Sequence, residues 1–240
     1  MGSLTVLLLA TPIFGLSLHA PAVEADLDLS AKAITAEYSA KLDDDEGGAP
    51  AEKSAGSSSQ DEYKAQIKKR NSIASLHRVF GIMTWAAMTV TLVAGAIDYN
   101  NLYGFGDDIG ENPCVQGTAA FGEDFGCRGG IRTIKSVAAY VTTALYATTF
   151  TLSLMMPDPD DLASGKGEFA STLRLHKTLR WVHFGGMVAQ IALGLLIASR
   201  IGGLDRANNY DTLQVLSTVH MATGLVTWGA LTWAGALMTF

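Results

Sequence analysis

The chain has 240 residues, 48% of them hydrophobic, and a formal net charge of −6. Much of the acid is gathered in one stretch, KLDDDEGGAPAE at 41–52, and no basic patch is interleaved with aromatic residues, which excludes nucleic acid as a partner. The apolar content is uneven enough to exclude an ordinary soluble domain, which would need four helices that are apolar on every face.

The N-terminus, MGSLTVLLLATPIFGLSLHAPAVEADLDLS, carries an apolar run over Leu4–Leu18 and VEA ahead of Asp26. Residues 1–25 therefore read either as a cleaved signal peptide, which lacks the usual Lys or Arg ahead of its run, or as a short membrane anchor that is retained. Residues 26–70 are poor in apolar residues, and EGGAPAEKSAGSSSQDE within them has the composition of a flexible acidic linker. A helix is expected to begin near Asn71 or Ser72, either of which can cap it.

Residues 71–240 hold four long, nearly uncharged blocks, about Val79–Ile97, Ser136–Met156, Trp181–Ser199 and Leu213–Phe240. Each approaches the ~20 residues that a helix needs to cross the ~30 Å hydrocarbon layer. Gly, Ala, Ser and Thr are mixed with Leu and Val in them, which suits close helix contact in lipid. The fold class expected is all-α: an integral membrane four-helix bundle with a disordered N-terminal linker.

The first connection, about Asp98–Lys135, contains eight glycines and both cysteines, Cys114 and Cys127. No C-x-x-C-H occurs, so covalent haem attachment is not indicated. The cysteines are either a disulfide, if their side of the membrane is oxidising, or two free thiols. The second connection opens with PDPDD, a strong helix stop, and its later part, FASTLRLHKTLR, reads as an extension of the third helix. The third, RIGGLDRANNYDT, is short, so the third and fourth helices should be antiparallel neighbours.

Let side A be the side where the first helix begins. Lys64, Lys68, Lys69, Arg70, Arg78, Lys166, Arg174, Lys177 and Arg180 lie there, against Arg128, Arg132, Lys135, Arg200 and Arg206 on side B. This basic excess makes side A cytoplasmic. A cleaved signal peptide would put side A outside, and the sequence reading favours that orientation.

Of the five histidines, His19 lies in the leader and His77, His176, His183 and His220 lie in or beside the apolar blocks. Ionisable groups at such depth point to function. At 1.5 Å per residue, His77, His176 and His183 fall within roughly 12 Å of depth near side A, while His220 enters from side B. Two neutral imidazoles facing each other at one level form an axial pair for haem iron. The pair expected is His77 with His183, with His176 as the substitute. His77 and His220 begin the same pattern, with Gly at +4, Thr at +7, Trp at +8, Ala at +10 and Thr at +12. Gly81 and Gly224, one turn after those histidines, would make room for a porphyrin, and Trp85 and Trp228 would line the same cavity. Arg78, Arg180 and Lys177 would pair with haem propionates or serve as interfacial cations.

The stretches LHRVFG, LHKTLRWVHFGGMVAQIALG and VHMATGLVTWGAL resemble the histidine-bearing core helices of the cytochrome b561 family and its bacterial relatives, over about residues 72–240. The resemblance implies a four-helix core holding b-type haem, in the bacterial inner membrane, that relays single electrons between a membrane reductant such as quinol and a partner redox protein or larger complex. It places His77 and His183, or His176, as one haem pair and His220 as half of a second. The second helix block, IRTIKSVAAYVTTALYATTFTLSLMM, has no histidine, which leaves a second haem without its expected partner ligand. The competing expectation is a haem-free membrane anchor or assembly subunit of a larger complex.

Overall fold

A computed structural model describes residues 56–104, 108–203 and 208–238, and these are helical with no strand among them. Four long helices follow in chain order: α1 (Gly56–Tyr103), α2 (Gly130–Met155), α3 (Glu168–Gly203) and α4 (Tyr210–Ala236). The apolar run at Leu4–Leu18 and the acidic stretch at 41–52 lie outside the described residues.

Helix α1 starts well before the expected Asn71 or Ser72. The segment DEYKAQIKKR is helical rather than linker, because it combines good helix formers with tertiary anchors. The Tyr63 hydroxyl donates to Asp160 at 2.9 Å, and Arg70 donates to the Pro157 carbonyl at 2.7 Å and to Asp158 at 3.0 Å. At 48 residues α1 is about 72 Å long, more than twice a bilayer core, so its first part projects beyond the apolar layer and braces the α2–α3 loop.

Among the described residues three helices, α1, α2 and α3, are long and apolar enough to cross a membrane. Four were expected. Helix α4 has 27 residues and no Lys or Arg but is not among the three.

The bundle's surface is largely apolar, and hydroxyls and amides share its interior with apolar side chains. Tyr140, Val226, Leu195 and Leu154 are exposed, whereas the largest fully buried side chains are Asn101, Thr84 and Thr227. So much exposed apolar surface is unusual for a water-soluble protein and suits a hydrocarbon surround, where interior hydroxyls and amides bind helix to helix.

Two polar seams set the packing. Along α1 and α2, Thr84 meets Thr149 at 3.0 Å, Thr91 meets Thr142 at 3.1 Å, and Asp98 meets Lys135. Each contact steps seven residues along both helices, the spacing that keeps one stripe facing its partner in antiparallel supercoiled helices. Along α1 and α4 the Trp85 indole donates to Thr232 at 3.0 Å, and the Trp228 indole donates to Thr89 at 3.0 Å. Thr89 and Thr232 in turn donate to the carbonyls of Trp85 and Trp228, at 2.8 and 2.7 Å. The four bonds close a ring between the helices, and the two indoles stack 6.4 Å apart. The repeated sequence pattern thus builds a reciprocal clasp, in which each copy's +8 Trp reaches the other copy's +12 Thr. Tyr99 and Thr218, 2.7 Å apart, continue the same register towards side B.

Helix α3 lies against α4, where Gly186 admits Thr227: a Cβ at Gly186 would overlap that threonine. The short α3–α4 connection therefore joins neighbours, as expected. Between α2 and α3 the backbones stay apart and aromatic rings fill the space, with Phe150 and Phe184 stacked at 4.4 Å and Tyr146 and Trp181 beside them.

The α1–α2 loop is stapled by a disulfide between Cys114 and Cys127, so the free-thiol alternative does not hold here. Asn112 caps the single helical turn Pro113–Gln116 by accepting from the Val115 amide at 2.8 Å. Fully buried Asn101 reaches from α1 to the carbonyls of Ala120 and Gly126 and accepts from the Ala120 amide. Gly126 is required there because a Cβ would strike the Ala120 carbonyl and the Asn101 amide.

Candidate functional site

Helices α1 and α3 face one another across the bundle and bring His77 and His176 together near side A. The ring centres lie 6.3 Å apart with the planes at 86°. The His77 Nδ1 sits 3.0 Å from the Thr149 carbonyl of α2, and the His176 Nδ1 sits 2.9 Å from the Ala234 carbonyl of α4. A carbonyl can only accept, so in each ring Nδ1 carries the hydrogen and the neutral imidazole keeps its lone pair on Nε2. Such a second hydrogen bond fixes the tautomer of a metal-ligating histidine and steadies its ring.

Ring centres 6.3 Å apart at a near-right angle lie within ordinary edge-to-face contact, and the separation is also about that of two imidazoles sharing one metal. Among the described residues no group of three or more His, Cys, Asp or Glu side chains comes together as a metal site. Two imidazoles fall short of the three or four protein ligands of a zinc site.

His183, the deeper histidine of α3, is differently engaged. It is buried, and its Nδ1 lies 2.8 Å from the Tyr146 hydroxyl, with the two rings edge to face at 5.6 Å. It stands within electrostatic range of His77 and His176, but its ring is held by α2 and is not the one set edge to face with His77. Tyr146 was not legible as a site residue, since a lone tyrosine in an apolar helix gives no signal of its partner.

Arg180, one turn after His176, shares its helical face. Its Nη1 donates to the Ser153 carbonyl at 3.4 Å and its guanidinium lies 5.2 Å from the Trp181 ring centre, while its buried Nε has no hydrogen-bond partner. Arg78 is exposed, and Lys177 is taken up by Asp158 at 2.9 Å. Of the three basic residues expected beside the histidines, Arg180 alone holds a buried polar atom in reserve at their level.

His220 stands apart. In the register of the α1–α4 seam it falls level with Ile97, far along α1 from His77. Its Nδ1 is buried without a partner, its ring lies against Gly194, and it is close enough to Lys135 to feel that charge. No second histidine joins it among the described residues.

The glycines expected to seat a porphyrin face neighbouring side chains, at distances where a Cβ would make ordinary contact. A Cβ at Gly81 would lie 3.9 Å from the Thr149 methyl, and one at Gly224 would lie 3.4 Å from Gln190. Gln190 also donates to the His220 carbonyl at 2.6 Å. Trp85 and Trp228 are committed to the clasp and not to a cavity at the histidines.

No family model, no curated protein and no solved structure matches this chain.

Proposed function

We propose that this chain is an integral membrane b-type cytochrome of the bacterial inner membrane, in which His77 and His176 hold one haem near side A. The observation that carries the reading is the pair of imidazoles 6.3 Å apart, each fixed through Nδ1 to a carbonyl of a different neighbouring helix. The resemblance of the histidine-bearing helices to the cytochrome b561 family supports it, and the spacing favours His176 over His183 as the ligand from α3. Haem, when bound, supplies one-electron iron chemistry. The protein fixes the two ligand rings, excludes water with the aromatic cluster of Phe150, Trp181 and Phe184, and presents the unpartnered Arg180 Nε to a carboxylate. Helix α4 crosses the bilayer with the others, because its hydrogen-bonded seam with α1 runs from Trp85 to Tyr99, about 21 Å. Electrons would pass between a membrane reductant such as quinol and a partner redox protein or complex. One haem is proposed, since His220 has no companion.

A haem-free anchor or assembly subunit is the second reading. It is favoured by the same histidine–carbonyl bonds, which tie α1 to α2 and α3 to α4 without any cofactor. A reduced-minus-oxidised absorption spectrum of the purified full-length protein separates the two. A b-type band is expected, His176→Ala should abolish it, and His183→Ala should retain it. No band at all leaves the anchor reading. Loss with His183→Ala but not His176→Ala would return His183 to the ligand position.

A further inference from the structure

We infer that the end of the bundle carrying His77 and His176 faces the cytoplasm and that the stapled loop faces an oxidising compartment, so a redox partner reaches the histidine pair from the cytoplasmic side. The partner's approach rests on the haem reading; the orientation does not.

Two independent observations agree. The first is the disulfide. Cys114 and Cys127 are joined in the loop between α1 and α2, at side B. Forming that bond takes two electrons and two protons from the thiols, passed to a thiol-oxidising system of the kind that extracytoplasmic compartments maintain and the cytoplasm opposes. The staple is part of a built loop: Asn101, Asn112 and the glycine at 126 fold the chain so that the two Cα atoms come within 5.8 Å. The second is the distribution of cations. Side A carries Lys64, Lys68, Lys69, Arg70, Arg78, Lys166, Arg174, Lys177 and Arg180, close to the helix ends, against five basic residues on side B. Loops rich in Lys and Arg stay in the cytoplasm. On side A Lys64, Lys68, Lys69, Arg78, Lys166 and Arg174 are exposed. On side B Arg128 is tied to Glu123, and Lys135 and Arg132 gather on buried Asp98. Both observations oppose the outward side A that a cleaved signal peptide would impose.

The histidine pair belongs to the side-A end by its place in each helix. His77 precedes the apolar part of α1, and His176 lies two turns into α3, just after the side-A loop at 156–167. The disulfide lies at the far end of α1, beyond Tyr103.

Three measurements on the full-length chain test this. In acid-quenched cells, thiols are blocked, then reduced and tagged with a maleimide polymer. Cys114 and Cys127 should take the tag only after reduction, and thiols that are already blocked at the first step would overturn the orientation. Lys166→Cys, made with the native disulfide intact, should react with a membrane-impermeant maleimide only after permeabilisation, and labelling in intact cells would overturn it. Dithionite, which crosses sealed membranes poorly, should reduce the b-type band at once in inverted vesicles and slowly in right-side-out ones. The reverse order would overturn the placement of the pair. A missing band with both thiol results as expected would sink the haem reading and leave the orientation standing.

Discussion

The two ends of the bundle are made from the same sequence pattern and have different chemistry. At side A, His77 meets His176, with His183 and Arg180 close by. At side B, His220 lies beside Gly194 with no second histidine among the described residues, below a disulfide-stapled loop and near the Asp98–Lys135 pair. The repeat of His, Gly, Thr, Trp and Thr in α1 and α4 reads as two copies of one ligand site. Its shared purpose is mechanical: in both copies the +8 Trp and +12 Thr build the clasp. Whether the leading histidine also becomes part of a pair depends on what the opposite helix offers at that level. Helix α3 offers His176 to His77, and α2, without a histidine, offers none to His220.

Four measurements probe this contrast. The largest effect belongs to the histidines themselves. His77→Ala should remove the whole b-type band of the purified protein, and His220→Ala should leave its intensity per chain unchanged; equal losses from both would restore a second haem and make the ends equivalent. Next comes the buried carboxylate of side B. Asp98 is 2% exposed and holds Lys135, so Asp98→Asn should lower stability in detergent by about 1–3 kcal/mol, the cost of leaving a partly buried cation unpaired. A denaturation midpoint unchanged from the parent would show that side B does not depend on this pair. The clasp between the ends should be weaker per bond. A double-mutant cycle of Trp85→Phe and Thr232→Val should give a coupling of about 0.6 kcal/mol, typical of hydrogen bonds between membrane helices, and no coupling would mean that the indoles act by stacking alone.

The smallest effect is the pH response of side A. Partial burial pushes the Asp158 carboxyl up, but hydrogen bonds from Lys177 and the Leu162 amide, with the charges of Lys177 and Arg70, outweigh it and hold the group below its ordinary value of 3.8. A lowered folded-state value means that the carboxylate stabilises the fold at every pH above the ordinary value. That contribution declines as pH falls through the ordinary value towards the lower folded one. Unfolding followed from pH 6 down to 3 should show a small loss of stability in this lowest range that Asp158→Asn removes. An identical profile in the variant would show that the loop at 156–167 is held by Tyr63 and Arg70 without this carboxylate.

Much of the architecture was legible in the sequence. Long uncharged blocks separated by PDPDD and by a short Gly-containing turn gave the helices and their order, since a helix stop at Pro157 and a close α3–α4 junction are local events. The start of α1 was not legible. DEYKAQIKKR has no apolar stripe of its own, and it is held by Tyr63 and Arg70 meeting residues nearly ninety or more positions away. The candidate site was half legible. Depth and residue type singled out the histidines of side A, but the choice between His176 and His183 depends on which ring turns towards His77.

The composition of each helix, the depth of each histidine along its own axis and the lack of a histidine in α2 are already fixed in the order of residues. Which rings meet, how the repeated pattern interlocks with itself and the joining of the two cysteines arise from packing. Rotation and register make the difference: a helix's residues set its faces, but the hydroxyl seams between helices set the angle at which each face is presented to its neighbours.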